Sequence, residues 1–311
     1  MKILVVGTFP DAAKERIRAS FPQDWTLCIA SPEEGDLDLS DVEVVIPEHI
    51  PIDSAFLDRA PRLRLVQTGA GYDNVDIDAC TARGVRVCNA AGVNATAVAE
   101  HAMALLLGWY KNIPYLDSFM KAHSDEGDLF YQGGELEGKT IGLVGLGNIG
   151  KKVAAYCGAF GMRVLGYSRR TLDIPGVTQV DLDTLYRQSD VVSLHLPLTG
   201  ETRGMIDRDV FSRLKPGAIL INTSRGGLVN EADLISALQT GTLRGACLDV
   251  YTKEPLPQGS PLRDLPNVIL TPHTAGLPDG VKFHAVRYQF FVSNIRRLMQ
   301  GERPEHALNE V

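Results

Sequence analysis

At 311 residues the chain is long enough for two domains of ordinary size, each able to bury its own core. Its 38 acidic and 31 basic side chains leave a formal charge of -7, scattered along the sequence without a basic stripe that would track a phosphate backbone, which argues against nucleic acid as a partner. Five widely spaced cysteines form no CxxC pair that would suggest a redox dithiol or zinc site, and no run reaches the ~18 uncharged apolar residues of a membrane-spanning helix.

The chain opens at Met1 and Lys2 and passes directly into ILVVG, without the apolar core and small-residue cleavage site of a signal peptide. A soluble cytoplasmic protein with reduced thiols is expected. In chain order, ILVVG from Ile3, TLCIA from Thr26, VEVVI from Val42, LRLVQ from Leu63 and VRVCN from Val85 are short β-branched runs separated by helix-period segments. That alternation predicts a parallel sheet with crossover helices. A long helix is predicted over 96–113, capped by Asn94 or Thr96 and ended by Pro114. The polar, glycine-containing segment 118–137 is expected to be a linker or arm. A second series follows: TIGLVG from Thr140, RVLGYS from Arg163, DVVSLHL from Asp190, AILINTS from Ala218, ACLDVY from Ala246 and VILTP from Val268. The chain is therefore predicted to be α/β, with two doubly wound parallel-sheet units and a last helix over 281–300.

TIGLVGLGNIG places Gly145, Gly147 and Gly150 in a GxGxxG turn between a buried strand and a helix start. Glycine there permits the tight turn, the close approach of a pyrophosphate and the packing of helix on strand, and the first helical amides supply donors to phosphate. The strand that follows usually ends in an acid that binds ribose hydroxyls. Here it ends in Ser168, Arg169 and Arg170, which suits a ribose 2′-phosphate and predicts NADPH over NADH; the alternative is two solvated surface arginines.

Arg225, Glu254 and His273 lie in INTSRGG, LDVYTKEP and TPHTAG, three separate strand-end settings. An arginine grips a carboxylate or polarises a carbonyl through a forked pair of hydrogen bonds. A histidine trades the proton on the oxygen, and a glutamate holds that imidazole protonated. Each has a bland reading as well, a structural histidine or a surface acid beside Lys253. His195 ends a strand, and His101 falls in the predicted helix, where packing or solvent is its expected role. His49, His123, His284 and His306 carry no motif. The glycines of GAGYDNVD, 69–76, leave backbone amides to face an anion.

With NATAVAEHAMALLL and SLHLPLTGETRGMI, these motifs occur in the order found in the D-isomer-specific 2-hydroxyacid dehydrogenases, and most of the chain resembles that family. The resemblance implies two Rossmann-like domains with an active-site cleft between them. The substrate domain would be discontinuous, 1–95 plus 282–311, and the dinucleotide-binding domain 96–281. It implies Arg225, Glu254 and His273 as the catalytic set, and Ala70, Gly71 and Arg225 as ligands of the substrate carboxylate. It implies cofactor contacts from Gly145, Gly147, Asn148, Ile149, Gly150, Ser168, Arg169, Arg170, His195, Pro197, Thr223, Asp249 and Gly276, with Asp249 facing the nicotinamide amide. NADP is the expected cofactor, with NAD possible, and no metal is expected.

The implied reaction is hydride transfer to a small 2-ketoacid such as glyoxylate or hydroxypyruvate. Glutamate at 254 speaks against formate, for which the family carries glutamine. Glu48, after the strand VEVVI, stands where 3-phosphoglycerate dehydrogenases commonly carry an arginine, which disfavours a phosphorylated substrate without removing that alternative. A cofactor-sensing corepressor on the same fold is the non-catalytic alternative. A homodimer burying the 96–113 helix through its AMALLLGWY run is expected.

Overall fold

The computed structural model describes residues 1–33, 37–48, 50–123, 129, 133–280 and 283–311. The chain divides into two units: Met1–Asn94 with Gly276–Val311, and Ala95–Ala275. The expected domain boundary at 281/282 and the expected start of the last helix lie outside the described residues, as do His49 and much of the expected arm.

In the first unit, β1 (Lys2–Val6), β2 (Thr26–Ala30), β3 (Val42–Pro47), β4 (Leu65–Gln67) and β5 (Arg86–Cys88) form a parallel sheet in the order β2-β1-β3-β4-β5. Apolar side chains fill both faces. Ile3, Val5, Val44 and Ile46 pack on one side, and Leu4, Val6, Val45 and Val66 on the other. Two fully buried amides fix the end of β4: Asn294 Nδ2 donates to Gln67 Oε1 at 2.8 Å, and Gln67 Nε2 donates to the Thr68 carbonyl at 3.1 Å. The GAGYDNVD loop therefore leaves from a rigid strand end.

In the second unit, β6 (Thr140–Val144), β7 (Arg163–Tyr167), β8 (Val177–Gln179), β9 (Val191–Leu194), β10 (Ile219–Asn222), β11 (Gly245–Leu248) and β12 (Val268–Leu270) form a seven-stranded sheet. Its order is β12-β11-β10-β9-β6-β7-β8, and every pairing is parallel. Val144 is level with both Tyr167 and Leu194, so the glycine turn, the Ser168 loop and His195 leave the sheet at one carboxyl edge. The order reverses between β6 and β9, and ligands bind at such switch points. Among the described residues no helix is long and apolar enough to cross a membrane.

Four expectations need correction. β8 has no counterpart among the predicted strands; its VTQ sequence carries one apolar residue and forms an edge. The long helix is Ala95–Tyr110, and Asn112 in a left-handed conformation (φ 53°) starts a second helix, Ile113–Ala122. Pro114 thus opens a helix, where its missing N–H costs nothing, and 118–122 are helical instead of an arm. Neither proposed residue caps the first helix. Asn94 Oδ1 is buried without a partner among the described residues, and Thr96 is inside the helix. The last helix is Ala285–Met299, and its cap is His284, whose side chain accepts from the Arg287 amide. Burial, assisted by the Arg287 charge, lowers the His284 pKa, which favours the neutral ring that can accept there.

The AMALLLGWY run also behaves differently from expectation. Ala102, Met103, Leu105, Leu106 and Tyr110 are buried in the core of their own unit with Ile141 and Leu143. Trp109 packs against Gly245, where a Cβ would come within 1.9 Å of the indole. The large apolar side chains that this region exposes among the described residues are Ile113, Tyr115 and Met120 of the following helix.

Candidate active site

The second unit brings Glu254 and His273 together. His273 Nδ1 is 2.6 Å from Glu254 Oε2, with both side chains partly exposed. A carboxylate only accepts, so Nδ1 carries the proton and Nε2 is the nitrogen left to exchange one. Glu254 is itself aimed, because Oε1 accepts from the Tyr251 amide at 3.0 Å.

His273 has φ 52°, a left-handed conformation that a non-glycine residue adopts only when its surroundings impose it. The imposing group is Asp249, which is fully buried. Its Oδ1 accepts from the Thr271 hydroxyl at 2.7 Å and the Thr274 amide at 2.9 Å, and Oδ2 accepts from the Ala275 amide at 2.9 Å. Its own carbonyl accepts from the His273 amide at 2.8 Å. His101 completes the chain: since the Thr271 hydroxyl donates to Asp249, it accepts from His101 Nε2 at 3.0 Å. From the sequence, packing or solvent was the expected role of His101. Its partner is 170 positions away, and the one local signal was the polar Thr271 two residues before His273.

Arg225 follows β10 in the same unit. Asn222 Nδ2 donates to the Arg225 carbonyl at 2.9 Å, and Arg225 Nη1 donates to the Ser224 carbonyl at 2.8 Å. Gly226 is obligatory beside it, because a Cβ would fall 1.9 Å from the Tyr251 carbonyl carbon. That close approach brings the β10 and β11 loops into contact.

The glycine turn tests whether a dinucleotide fits. Gly145 has φ 108°, and a Cβ on it would lie 2.5 Å from the His195 carbonyl oxygen; one on Gly150 would lie 2.1 Å from that of Gly145. The fold itself requires those two. A Cβ on Gly147 would meet nothing within 4 Å, so glycine there leaves room for an approaching group. The helix Asn148–Ala159 starts with Asn148 and Ile149 and has no side-chain cap, which leaves its first amides to an anion. Around this turn, His195 Nδ1 and Thr223 Oγ1 are buried without partners among the described residues. Burial pushes His195 down to about 4, so its ring is neutral at pH 7. A turn with open space, free helical amides and two unsatisfied buried polar atoms fits a nucleotide cofactor.

Ser168 is half-buried at the end of β7, and Arg169 and Arg170 are exposed. Arg169 Nη1 stands 3.8 Å from Glu201 Oε2. Pro197 is on the exposed loop after β9, its carbonyl accepting from Thr202 Oγ1 at 2.8 Å. Ala70, Gly71 and Gly276 belong to the first unit.

Residues 103–275 match the family model for the D-isomer specific 2-hydroxyacid dehydrogenase NAD binding domain. A D-3-phosphoglycerate dehydrogenase of Archaeoglobus fulgidus is 39% identical over 88% of this chain and 53% of its own length. The chain spans about half the length of several such relatives. A glyoxylate reductase of Korarchaeum cryptofilum is 38% identical over 84% of this chain and 80% of its own. Among solved structures, an acyclic imino acid reductase in complex with NADPH and D-Arg superposes with a TM-score of 0.85 at 30% identity, covering 99% of this chain and 100% of that one. The chain belongs to the D-isomer-specific 2-hydroxyacid dehydrogenase family.

Proposed function

We propose that the chain reduces a small 2-ketoacid, such as glyoxylate or hydroxypyruvate, to the 2-hydroxyacid with NADPH. The observation that carries this reading is the 2.6 Å contact of His273 Nδ1 with Glu254 Oε2, in a unit that also bears Arg225 and the glycine turn. When bound, the reduced nicotinamide supplies the hydride. Arg225 orients the ketoacid carboxylate and stabilises the negative charge that develops on the carbonyl oxygen. His273 delivers a proton to that oxygen from Nε2, and Glu254 accepts from Nδ1 and so holds the ring in its orientation. The amides of Ala70 and Gly71 are further ligands of the carboxylate, by family resemblance.

Gly145, Gly147, Asn148, Ile149 and Gly150 would hold the pyrophosphate, with His195, Pro197, Thr223 and Gly276 along the rest of the cofactor. Asp249 holds the His273 loop; its implied contact with the nicotinamide amide would have to come from a carboxylate already engaged on both oxygens. Ser168, Arg169 and Arg170 favour NADPH over NADH.

A second reading, D-3-phosphoglycerate dehydrogenation, is supported by the Archaeoglobus relative. Against it stands Glu48, which follows β3 and is held by Arg287 Nη2 at 2.8 Å, both side chains being largely buried. That position thus lacks the arginine a substrate phosphate would need, and the nearby Arg287 is already engaged by Glu48. The test is a panel of 2-ketoacids with NADPH and NADH. Turnover of glyoxylate and hydroxypyruvate above 3-phosphohydroxypyruvate is expected, and the reverse order would install the second reading. Absence of turnover on every 2-ketoacid, together with a cofactor-dependent protein partner, would make the chain a corepressor.

The proposed assembly is a homodimer formed by the helix Ile113–Ala122. Ile113 and Met120, seven residues apart on one side of that helix, expose apolar side chains beside the Asp117–Lys121 ion pair, and an apolar patch with a polar rim suits a self-complementary two-fold contact. Light scattering at micromolar concentration is expected to give the dimer mass, and Met120→Glu to give the monomer; a monomeric parent protein rejects the assembly. Burial pushes the thiols of Cys80 and Cys88 up to about 11, so they stay protonated and unreactive at neutral pH, and a reducing cytoplasm suits the five free cysteines.

A further inference from the structure

The edge strand β8 ends in Gln179, whose amide reaches the loop after β7. Nε2 donates to the carbonyls of Ser168 at 3.1 Å and Arg170 at 2.8 Å, and Oε1 accepts from the Leu172 amide at 2.9 Å. The two carbonyls flank Arg169, so one half-buried amide fixes the backbone on both sides of that arginine. Within the loop, the Arg170 amide donates to Ser168 Oγ at 3.4 Å. The side chains behave otherwise. Arg169 and Arg170 are exposed, and the contact of Arg169 with Glu201 at 3.8 Å is a surface ion pair of little weight.

Two consequences follow for an anion arriving at this loop. Carbonyl oxygens bound to Gln179 are satisfied by β8 and do not turn their negative ends toward the anion. The backbone from which two long cationic side chains spring is also ordered in advance, so less conformational entropy is lost when they engage. Glu201 gives way readily, because an exposed pair at that distance is screened by water and salt.

We propose that Gln179 is a positioning residue for cofactor choice: it holds residues 168–170 as a receptor for a phosphate monoester on a ribose 2′-hydroxyl. This rests on the reading of Ser168, Arg169 and Arg170 given above. Gln179 touches neither the reacting atoms nor the ribose; it acts through the loop. It follows that Gln179 matters to the phosphorylated ribose and is nearly indifferent to the unphosphorylated one.

The test measures equilibrium binding of 2′,5′-ADP and of 5′-AMP to the full chain by calorimetry, for the parent protein, Gln179→Met and Gln179→Asn. Methionine keeps the length and removes all three hydrogen bonds, while asparagine keeps the amide but is too short to reach. Both variants are expected to lose about tenfold in affinity for 2′,5′-ADP, the scale of one or two hydrogen bonds, and less than about twofold for 5′-AMP. In turnover, KM for NADPH should rise with kcat and the NADH constants unchanged. Equal weakening of both nucleotides would reduce Gln179 to a structural residue and overturn the proposal, as would unchanged 2′,5′-ADP binding. A parent protein that binds 5′-AMP as well as 2′,5′-ADP overturns the reading of the arginine loop itself, a separate result visible before any variant is made. If Gln179→Met does not fold, Gln179→Asn carries the comparison, with thermal unfolding as the check.

Discussion

Replacing His273 by alanine is expected to lower kcat/KM for glyoxylate with NADPH by ~10² to 10⁴-fold, the usual cost of removing a proton donor from the transition state. Arg225→Ala is expected to fall in the same range, because one side chain serves both carboxylate orientation and oxyanion stabilisation. The left-handed backbone at His273 (φ 52°) complicates the alanine variant, since a residue without a local hydrogen-bonding side chain is strained there. His273→Asn avoids this, because asparagine tolerates the conformation and cannot carry the proton. Both variants should lose activity alike while differing in thermal stability. Near-parental turnover by His273→Asn would remove His273 from the chemistry. Glu254→Gln should cost less than loss of His273 itself, because one side-chain oxygen can still accept from the Tyr251 amide while the second oxygen, which accepts from His273 Nδ1, becomes an amide donor.

The elements of this fold that were legible in the sequence are those whose burial writes a pattern. The strands over Ile3, Val42, Thr140 and Ile219 lie between apolar layers and read as runs of Val, Ile and Leu. The glycine turn was legible because Gly145 and Gly150 have no room for a side chain. Elements set by a single polar contact left no such trace. β8 sits at an edge with one half-buried valine, and what orders the loop beside it is Gln179, a residue type found on any surface. The cap of the last helix left no trace because it is His284, a nitrogen acceptor outside the usual oxygen-bearing set. Pro114 was read as a stop, although a proline at that spacing terminates one helix or begins another, and only the left-handed Asn112 decides between them.

The same division runs through the candidate site. Arg225, Glu254 and His273 were named from their strand-end settings, and the parallel order of β10, β11 and β12 brings those ends to one edge. The groups that aim them were not legible. Asp249, Thr271 and His101 form a relay, buried at Asp249, whose members come from just past β11, just past β12 and the helix Ala95–Tyr110, and nothing in a linear pattern couples a helical histidine to a strand-end threonine.

The cofactor order should reverse in Ser168→Asp combined with Arg169→Ala. The parent protein is expected to prefer NADPH over NADH in kcat/KM by about tenfold or more, because a single charge-assisted hydrogen bond to the 2′-phosphate contributes about 1.5 to 3 kcal/mol and 1.4 kcal/mol is a factor of ten. Arg169 gives up little to make that bond, since its contact with Glu201 at 3.8 Å is between two exposed side chains. In the double variant the new carboxylate stands at the end of β7, where it can accept from both ribose hydroxyls of NADH and meets the 2′-phosphate of NADPH as a like charge. Loss of attraction and gain of repulsion act on the same cofactor, so the change in the ratio should exceed that of Arg169→Ala alone. Arg170 stays in place in this variant, and any NADPH use that survives measures its share. Equal use of both cofactors by the parent protein, with no change in the double variant, would mean that Arg169 and Arg170 are solvated surface charges and that the ribose is read elsewhere.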